Sequence, residues 1–441
     1  MSEKNYKTLT NDNVVEKVIS LSLEAFHNYN ELPIIARTEV IKAIRAGLKD
    51  KALDIAKMEL EETGMGKLQD KVEKILLSIM KTPGIEDLYT TTLSSDVSRT
   101  ITEYLPYGVV CSVHPSNNPC ATLINNCIGM LAAGNSIINI PHPRANECSK
   151  YVGDLINDII YKTIRINNLV VVLEQTNKSV AEEVMNHPDV DLVVTTGGRA
   201  MKSASLKTPK RVIAGGEANP VCIVDETADI SRAVKCIVEG ASFDNNILCI
   251  TEKNIVVVDK VKDEFINQLE LNGVYYIDSD SECNVIRNII LNDEEKMNRK
   301  FEGKSANEIL DAAKVDRRRD YDLIVIKSKE TSPLVTEELL LPVVPLVFVS
   351  DFEEALNVAN FIEQGLKHTV IIHSQMISRL EKTDKRLRTS ILVKNGSSLS
   401  AIGFNGDDMA SFTIANVTGE GLTSAKDFAR KRNCTIIESH I

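Results

Sequence analysis

Tryptophan is absent from the 441-residue chain, and aromatic residues make up only 5% of it. With 43% apolar and 26% charged residues, the composition is still that of a globular enzyme, not a disordered or fibrous chain. No C-x-x-C pair occurs among the nine cysteines, which stand singly from Cys111 to Cys434. Neither a zinc ribbon nor a thioredoxin motif is therefore written here, and no metal site is expected. An odd cysteine count without a secretory leader reads as free thiols in a reducing, cytoplasmic setting. Residues 1–12 are polar and hold no apolar signal core. The longest apolar run, 339–349, carries Pro342 and Pro345 and is too short to cross a membrane. Positive charge is not in excess: 51 basic against 62 acidic residues give −11, which argues against a nucleic-acid surface. No internal repeat or low-complexity tract is found.

The length predicts two domains plus appendages. The first hundred residues read helical. Val14, Val15, Val18, Ile19 and Leu21 follow Asn13 as a cap, Val40, Ile41, Ile44 and Leu48 repeat the spacing, and a third stretch, 67–80, ends before Thr82-Pro83-Gly84. Short β-branched runs then alternate with helical segments. Strands are expected at 109–113, 136–140, 169–173, 192–195 and 211–214, the pattern of a doubly wound parallel sheet. The alternation restarts with strands at 255–258, 323–326, 346–349, 370–373 and 391–393, which implies a second α/β domain beginning near Ala241. A helix over 424–432 and a strand over 435–438 close the chain, and that strand must pair somewhere, in this chain or on another subunit. Residues 273–320 are highly charged and poorly periodic.

No G-x-G-x-x-G stands between a strand and a helix, which counts against an ordinary dinucleotide-binding fold. Thr195-Thr196-Gly197-Gly198 does follow a strand and open a helix, where backbone N–H groups and the helix dipole can hold a diphosphate. A plain glycine turn explains the same residues equally well. Three further segments matter together. They are Pro115-Ser116-Asn117-Asn118-Pro119, the run from Gly240 through Asp244-Asn245-Asn246-Ile247-Leu248-Cys249, and Thr418-Gly419-Glu420-Gly421-Leu422.

In this order and spacing, with Glu62-Thr63-Gly64-Met65-Gly66, Asp225-Glu226-Thr227-Ala228-Asp229, His368-Thr369 and His373-Ser374, the sequence resembles the aldehyde dehydrogenase superfamily over nearly its whole length. More narrowly it resembles the CoA-acylating acetaldehyde and propionaldehyde dehydrogenases of ethanolamine and propanediol utilisation, the bacterial-microcompartment type. The resemblance implies an α/β fold of two doubly wound Rossmann-like domains with a terminal oligomerisation segment. Residues 1–240 would be the NAD-binding domain with its N-terminal helices, 241–416 the catalytic domain, and 417–441 a helix and strand packing on the first domain or on a partner subunit.

Cys249 matches the catalytic cysteine of that family. A thiolate adds to an aldehyde carbonyl, and the thiohemiacetal expels hydride to a nicotinamide. A lone cysteine is ordinarily a small buried hydrophobe, the reading taken for the other eight. Asn118 matches the oxyanion donor; capping the helix that opens at Pro119 is the bland alternative. Glu338 matches the glutamate on the nicotinamide ribose, although acidic residues commonly open helices. His142 and Pro143 stand where hydrolytic relatives keep a lysine beside the adenosine ribose.

Hydrolytic members use a glutamate base to activate water; the acylating branch lacks it, and CoA takes the acyl group. Here the corresponding stretch is Ala214-Gly215-Gly216-Glu217-Ala218-Asn219-Pro220, in which Glu217 departs from the family pattern. It reads first as a surface carboxylate that does not reach the site. His114 in place of threonine and the loop Gly403-Phe404-Asn405-Gly406-Asp407 are further departures. No clear encapsulation helix precedes the first core helix.

The expectation is an enzyme converting a short aldehyde, CoA and NAD (or NADP) to acyl-CoA and reduced cofactor. It would be a homodimer or homotetramer, cytoplasmic or housed in a microcompartment with its enzymes or shell, with no nucleic-acid or membrane partner. The alternatives are a hydrolytic dehydrogenase giving the free acid, and a non-catalytic relative kept for assembly.

Overall fold

The computed structural model describes residues 11–174, 177–406 and 408–437. The polar residues 1–10, Asp407 of the late loop and Glu438 of the tail strand lie outside the described residues. The chain forms two compact units, one of Met1–Glu62, Ile75–Gly215 and Met409–Ile441, the other of Thr63–Lys74 and Gly216–Asp408.

In the first unit, β1 (Thr91–Ser94) and β2 (Ser98–Pro106) form a hairpin. β3 (Val109–Val113), β4 (Ser136–Ile140), β5 (Val170–Val172), β6 (Leu192–Thr196) and β7 (Arg211–Gly215) form a parallel sheet in the order β5-β4-β3-β6-β7. β3 is buried throughout, as the β-branched run Val109-Val110-Cys111-Ser112-Val113 suits a strand covered on both faces. Chain direction across the sheet switches between β3 and β6, and ligands of such sheets bind outside the carboxyl ends at that point.

The second unit carries β8 (Val221–Val224), β9 (Asn254–Val258), β10 (Tyr275–Ile277), β11 (Ile324–Lys327), β12 (Val343–Val349), β13 (Thr369–His373) and β14 (Ile391–Lys394). All run parallel in the order β10-β11-β12-β9-β8-β13-β14. The helix Ile230–Ser242 buries Ile230, Ala233, Val234, Ile237 and Ala241 against this sheet. The division expected at 240/241 therefore falls at 215/216 instead, since β8 and the helix after it belong to the second sheet.

Residues 273–320 are ordered structure. β10, the helix Asp280–Ile290 and the helix Ala306–Ala312 bury Ile277, Ile286, Ile290, Ile309 and Leu310 in one cluster.

The tail rejoins the first unit through the short pair β15 (Ile414–Ala415) and β16 (Gly421–Leu422). No helix occupies 424–432: after a turn that buries Phe428, β17 (Ala429–Ile437) pairs antiparallel with β2 of its own chain, from Ala429↔Pro106 to Ile437↔Ser98. Arg430 and Arg432 alternate with Lys431 and Asn433 here, and strand pairing overrides their helix propensity. Among the described residues no helix is long and apolar enough to cross a membrane.

Candidate active site

In the first unit, every expected residue lies in a loop leaving a carboxyl end of the parallel sheet. The segment His114 to Asn118 follows β3, His142-Pro143 follows β4, and Thr196-Gly197-Gly198 ends β6 and leaves it. Asn118 is 5% exposed and caps the helix Pro119–Ala132 through its backbone: its carbonyl accepts from Thr122 N at 3.1 Å, but its side chain makes no capping bond. The bland capping role thus does not use the amide. His142 Nδ1 accepts the N–H of Arg144 at 3.1 Å. Thr196 Oγ1 lies 2.6 Å from Thr413 Oγ1. A side-chain carbon placed on Gly197 or Gly198 would meet nothing within 4 Å, so this loop borders open space. The helix that follows, Arg199–Ser205, is a short one.

His114 joins β3 to β4 through Nε2, 2.8 Å from Asn139 Oδ1, and burial pushes its imidazole down to about 4. It is a neutral tie inside the sheet.

In the second unit the expected residues lie at the opposite, amino edge of the sheet. Four neighbouring strands, β12, β9, β8 and β13, receive their chains there, and the entry loops bring Glu338, Cys249, Glu217 and His368 into one cluster. Asp244, Asn245 and Asn246 turn the chain into the β9 entry with φ of 47°, 53° and 60°. Asp and Asn tolerate this left-handed region better than other side chains, but each costs energy that the surroundings must offset.

They do so with a dense set of bonds. Asp244, fully buried, ion-pairs with Lys74 and, at 3.6 Å, with Lys71; it accepts Lys67 N–H at 2.6 Å and donates its own N–H to Asp70 at 2.7 Å. Burial pushes this carboxyl up, but Lys74 and Lys71 outweigh burial and hold it below the usual range. Gly66 has φ 83°, and a side-chain carbon there would lie 2.0 Å from Asp244 Oδ1, so the Gly64-Met65-Gly66 segment admits the carboxylate only as glycine. Asn245 Nδ2 donates to Gly303 O at 2.9 Å and Asn246 Nδ2 to Glu252 O at 3.2 Å.

Cys249, beyond this turn, is partly exposed; Cys111, Cys120, Cys127, Cys148 and Cys222 are buried as expected, whereas Cys236 and Cys283 are also partly exposed and Cys434 is exposed, so the buried-hydrophobe reading does not hold for those three. Burial and the neighbouring Glu338 push its thiol up to about 12, against the pull of Lys253 and Lys74. Glu338 is half-buried and accepts the N–H of Ala218; burial, with Glu217 and Glu302, raises its carboxyl against the pull of Lys253. Glu217, half-buried in the loop entering β8, adds to the negative charge that raises Glu338.

Sequence reasoning assigned no role to Lys253, Glu252 or His368, although His368-Thr369 is one of the segments that carry the resemblance. Glu252 is fully buried, accepts Ser398 N–H at 3.0 Å and its hydroxyl at 2.7 Å, and is pushed up by burial to about 7. His368 is buried, with Nδ1 2.9 Å from Thr369 Oγ1, and is pushed down to about 3 by burial and by Lys253. The available signal was two charges, Glu252-Lys253, set between a cysteine and a wholly buried strand. The Asp225–Asp229 motif is structural: Asp225 Oδ1 accepts Thr227 N–H at 2.7 Å, and Asp229 caps the helix Ile230–Ser242. Among the described residues no group of three or more His, Cys, Asp or Glu could hold a metal.

Comparison with known proteins gives the same picture. The model of the aldehyde dehydrogenase family matches residues 5–407. The chain is 41% identical over 423 residues to a CoA-propanoylating propanal dehydrogenase of Citrobacter freundii, covering 96% of this chain and 91% of that one. A solved propionaldehyde dehydrogenase of Rhodopseudomonas palustris, with bound CoA and an acylated cysteine, aligns with a TM-score of 0.94 at 38% identity, covering 96% of this chain and 97% of that one. Another, from the fucose-utilisation bacterial microcompartment of Clostridium phytofermentans, also gives 0.94, at 35% identity over 97% and 98% of the two chains. The expected fold is borne out, and the chain belongs to the aldehyde dehydrogenase family.

Proposed function

We propose that this chain is a CoA-acylating aldehyde dehydrogenase, oxidising a short aldehyde with NAD and delivering the acyl group to CoA. One observation carries the reading: a partly exposed cysteine, just beyond a left-handed turn, set among buried ionisable groups where a structural cysteine would be buried in apolar side chains. The names of the relatives support it, since both the Citrobacter and the Rhodopseudomonas proteins are acylating enzymes or hold an acylated cysteine with CoA.

Cys249 adds to the aldehyde carbon as thiolate, and the developing oxyanion needs a donor, the role proposed for the Asn118 amide. The nicotinamide, when bound, accepts the hydride. The thioester left on Cys249 is then attacked by the CoA thiol, which returns the cysteine. The open loop at Thr196, Gly197 and Gly198 suits a diphosphate, and His142 and Pro143, leaving the neighbouring strand, suit the adenosine ribose. Glu338, half-buried with one backbone bond, keeps acceptor capacity for ribose hydroxyls. A homodimer or homotetramer remains part of the proposal, as does a place within a microcompartment, which the compartment origin of the Clostridium relative supports.

The test is NADH formation from propionaldehyde or acetaldehyde with and without CoA. Turnover that requires CoA is expected. Turnover to the free acid without CoA would replace this reading by the hydrolytic one, which the closeness of Glu217 to Glu338 favours. Asn118→Ala is expected to raise the barrier by about 3 kcal/mol, roughly a hundredfold in kcat with little change in KM. An unchanged kcat would remove Asn118 from the chemistry.

A further inference from the structure

Lys253 takes no part in the reading above, and its setting is unusual. The side chain is 1% exposed, yet among the described residues no carboxylate forms an ion pair with its ammonium. Nζ donates to the Asn246 carbonyl and, at 2.9 Å, to Asn246 Oδ1, both neutral acceptors. A buried ammonium without a counter-ion is costly, and burial lowers this one to about 8 against the pull of Glu338, Cys249 and Glu252, so it is charged at neutral pH and loses its proton just above it.

Its position shows what the charge faces. Lys253 and Asn246 close a loop, 246–253, that carries Cys249 in its middle, and Thr251 Oγ1 reinforces the closure at 2.5 Å from Asn246 Oδ1. Four ionisable groups surround the ammonium: Cys249 in the loop, Glu252 beside it, Glu338 from the entry to β12 and His368 from the entry to β13. Glu252 is already bonded twice by Ser398, and His368 is neutral. Lys74 is a second cation on Cys249 but is committed to Asp244. The charge of Lys253 is therefore shared between Cys249 and Glu338.

We infer that Lys253 is the positioning residue of the nucleophile: it clamps the turn that presents Cys249 and supplies the positive charge that favours its thiolate. The inference deepens the proposed function and rests on Cys249 being the nucleophile of that reaction.

The experiment reads the thiolate directly. Iodoacetamide labelling of Cys249 is followed by mass of its peptide from pH 7 to pH 10 in the full-length, cofactor-free protein, for wild type, Lys253→Met, Lys253→Gln and Lys253→Arg. Below the thiol's midpoint the rate follows the thiolate fraction, so loss of the charge should slow labelling about tenfold at pH 7, and the gap should close as pH rises through about 8, where Lys253 itself loses its proton. Lys253→Arg keeps the charge and should label within about threefold of wild type. Lys253→Gln keeps a donor for the Asn246 carbonyl, so it decides the matter where Lys253→Met does not fold. The pH profile of kcat/KM should move up with the labelling curve.

At pH 7, labelling of folded Lys253→Gln at the wild-type rate or faster, or of Lys253→Arg as slowly as Lys253→Gln, would overturn the inference. A merely structural lysine predicts the first of these, because a loosened loop exposes the thiol. The readout is independent of catalysis: turnover that survives loss of Cys249 would refute the proposed function while labelling still decides the role of Lys253.

Discussion

Cys249→Ala is expected to lower CoA-dependent aldehyde oxidation by about a thousandfold or more, since no other group in the cluster can form the thiohemiacetal. The variant should fold, because the side chain is partly exposed and the turn beneath it is held by Asp244, Asn245 and Asn246. Aldehyde supplied with cofactor but without CoA should leave an acyl adduct on the peptide carrying Cys249 in wild type and none in the variant. Retention of turnover by the variant would mean that hydride leaves an adduct of the aldehyde with CoA or water and not with the enzyme, and the mechanism through Cys249 would fall. The pH dependence has a definite sign. Burial and Glu338 raise the thiol to about 12, so the resting group is protonated at neutrality. The nucleophile is the thiolate, whose fraction grows about tenfold per pH unit below the midpoint. Wild-type kcat/KM should therefore climb from neutral to alkaline pH. A profile that falls across that range would place the controlling proton elsewhere.

The sheets were legible because both are parallel and buried on two faces, which leaves uninterrupted β-branched runs such as Val109–Val113 and Asn254–Val258. The hairpin β1–β2 was missed for the converse reason: β1 is exposed throughout, so no burial pattern marks it, and only threonines at 90–92, 100 and 102 hint at a strand. The tail strand read as a helix because its basic residues are good helix formers and its partner, β2, lies more than three hundred residues earlier. Helix periodicity continues through Ile230–Ser242 without saying which sheet the helix covers, so the sequence alone puts the boundary after that helix. At the candidate site, sequence motifs marked Cys249 and Glu338 but not what joins them. Lys253 and Glu217 enter from different loops, and their proximity to Glu338 follows from the strand order β12-β9-β8-β13, which no local pattern encodes.

Asp244→Asn should cost more stability than any other single change near the turn, about 3–5 kcal/mol, because it leaves two buried ammonium groups facing a neutral amide. Lys71 and Lys74 are at most 1% exposed, so water cannot take over the carboxylate's role. The amide can still accept from Lys67 N–H, so the loss isolates the charge from the hydrogen bond. The urea midpoint of the cofactor-free protein measures this, and a midpoint within experimental error of wild type would show that the lysines find other partners. The charge also predicts a pH dependence. The Asp244 carboxyl is held below its ordinary value of about 3.9, so its contribution is complete above that value and is lost as pH falls through the lower, folded value. The gap between wild type and Asp244→Asn should accordingly be full at pH 7 and shrink towards pH 3. Damage should also reach the chemistry, since three left-handed residues stand only while Asp244 anchors the first of them. Variant protein that stays folded should label at Cys249 at the wild-type rate or faster, since a loosened turn exposes the thiol, and the lost carboxylate cannot be replaced by raising salt, because ions do not reach a site without solvent. Equal salt sensitivity in wild type and variant would agree with a buried anchor; rescue of the variant by salt would place the two lysines at the surface and break the argument for how the cysteine is held.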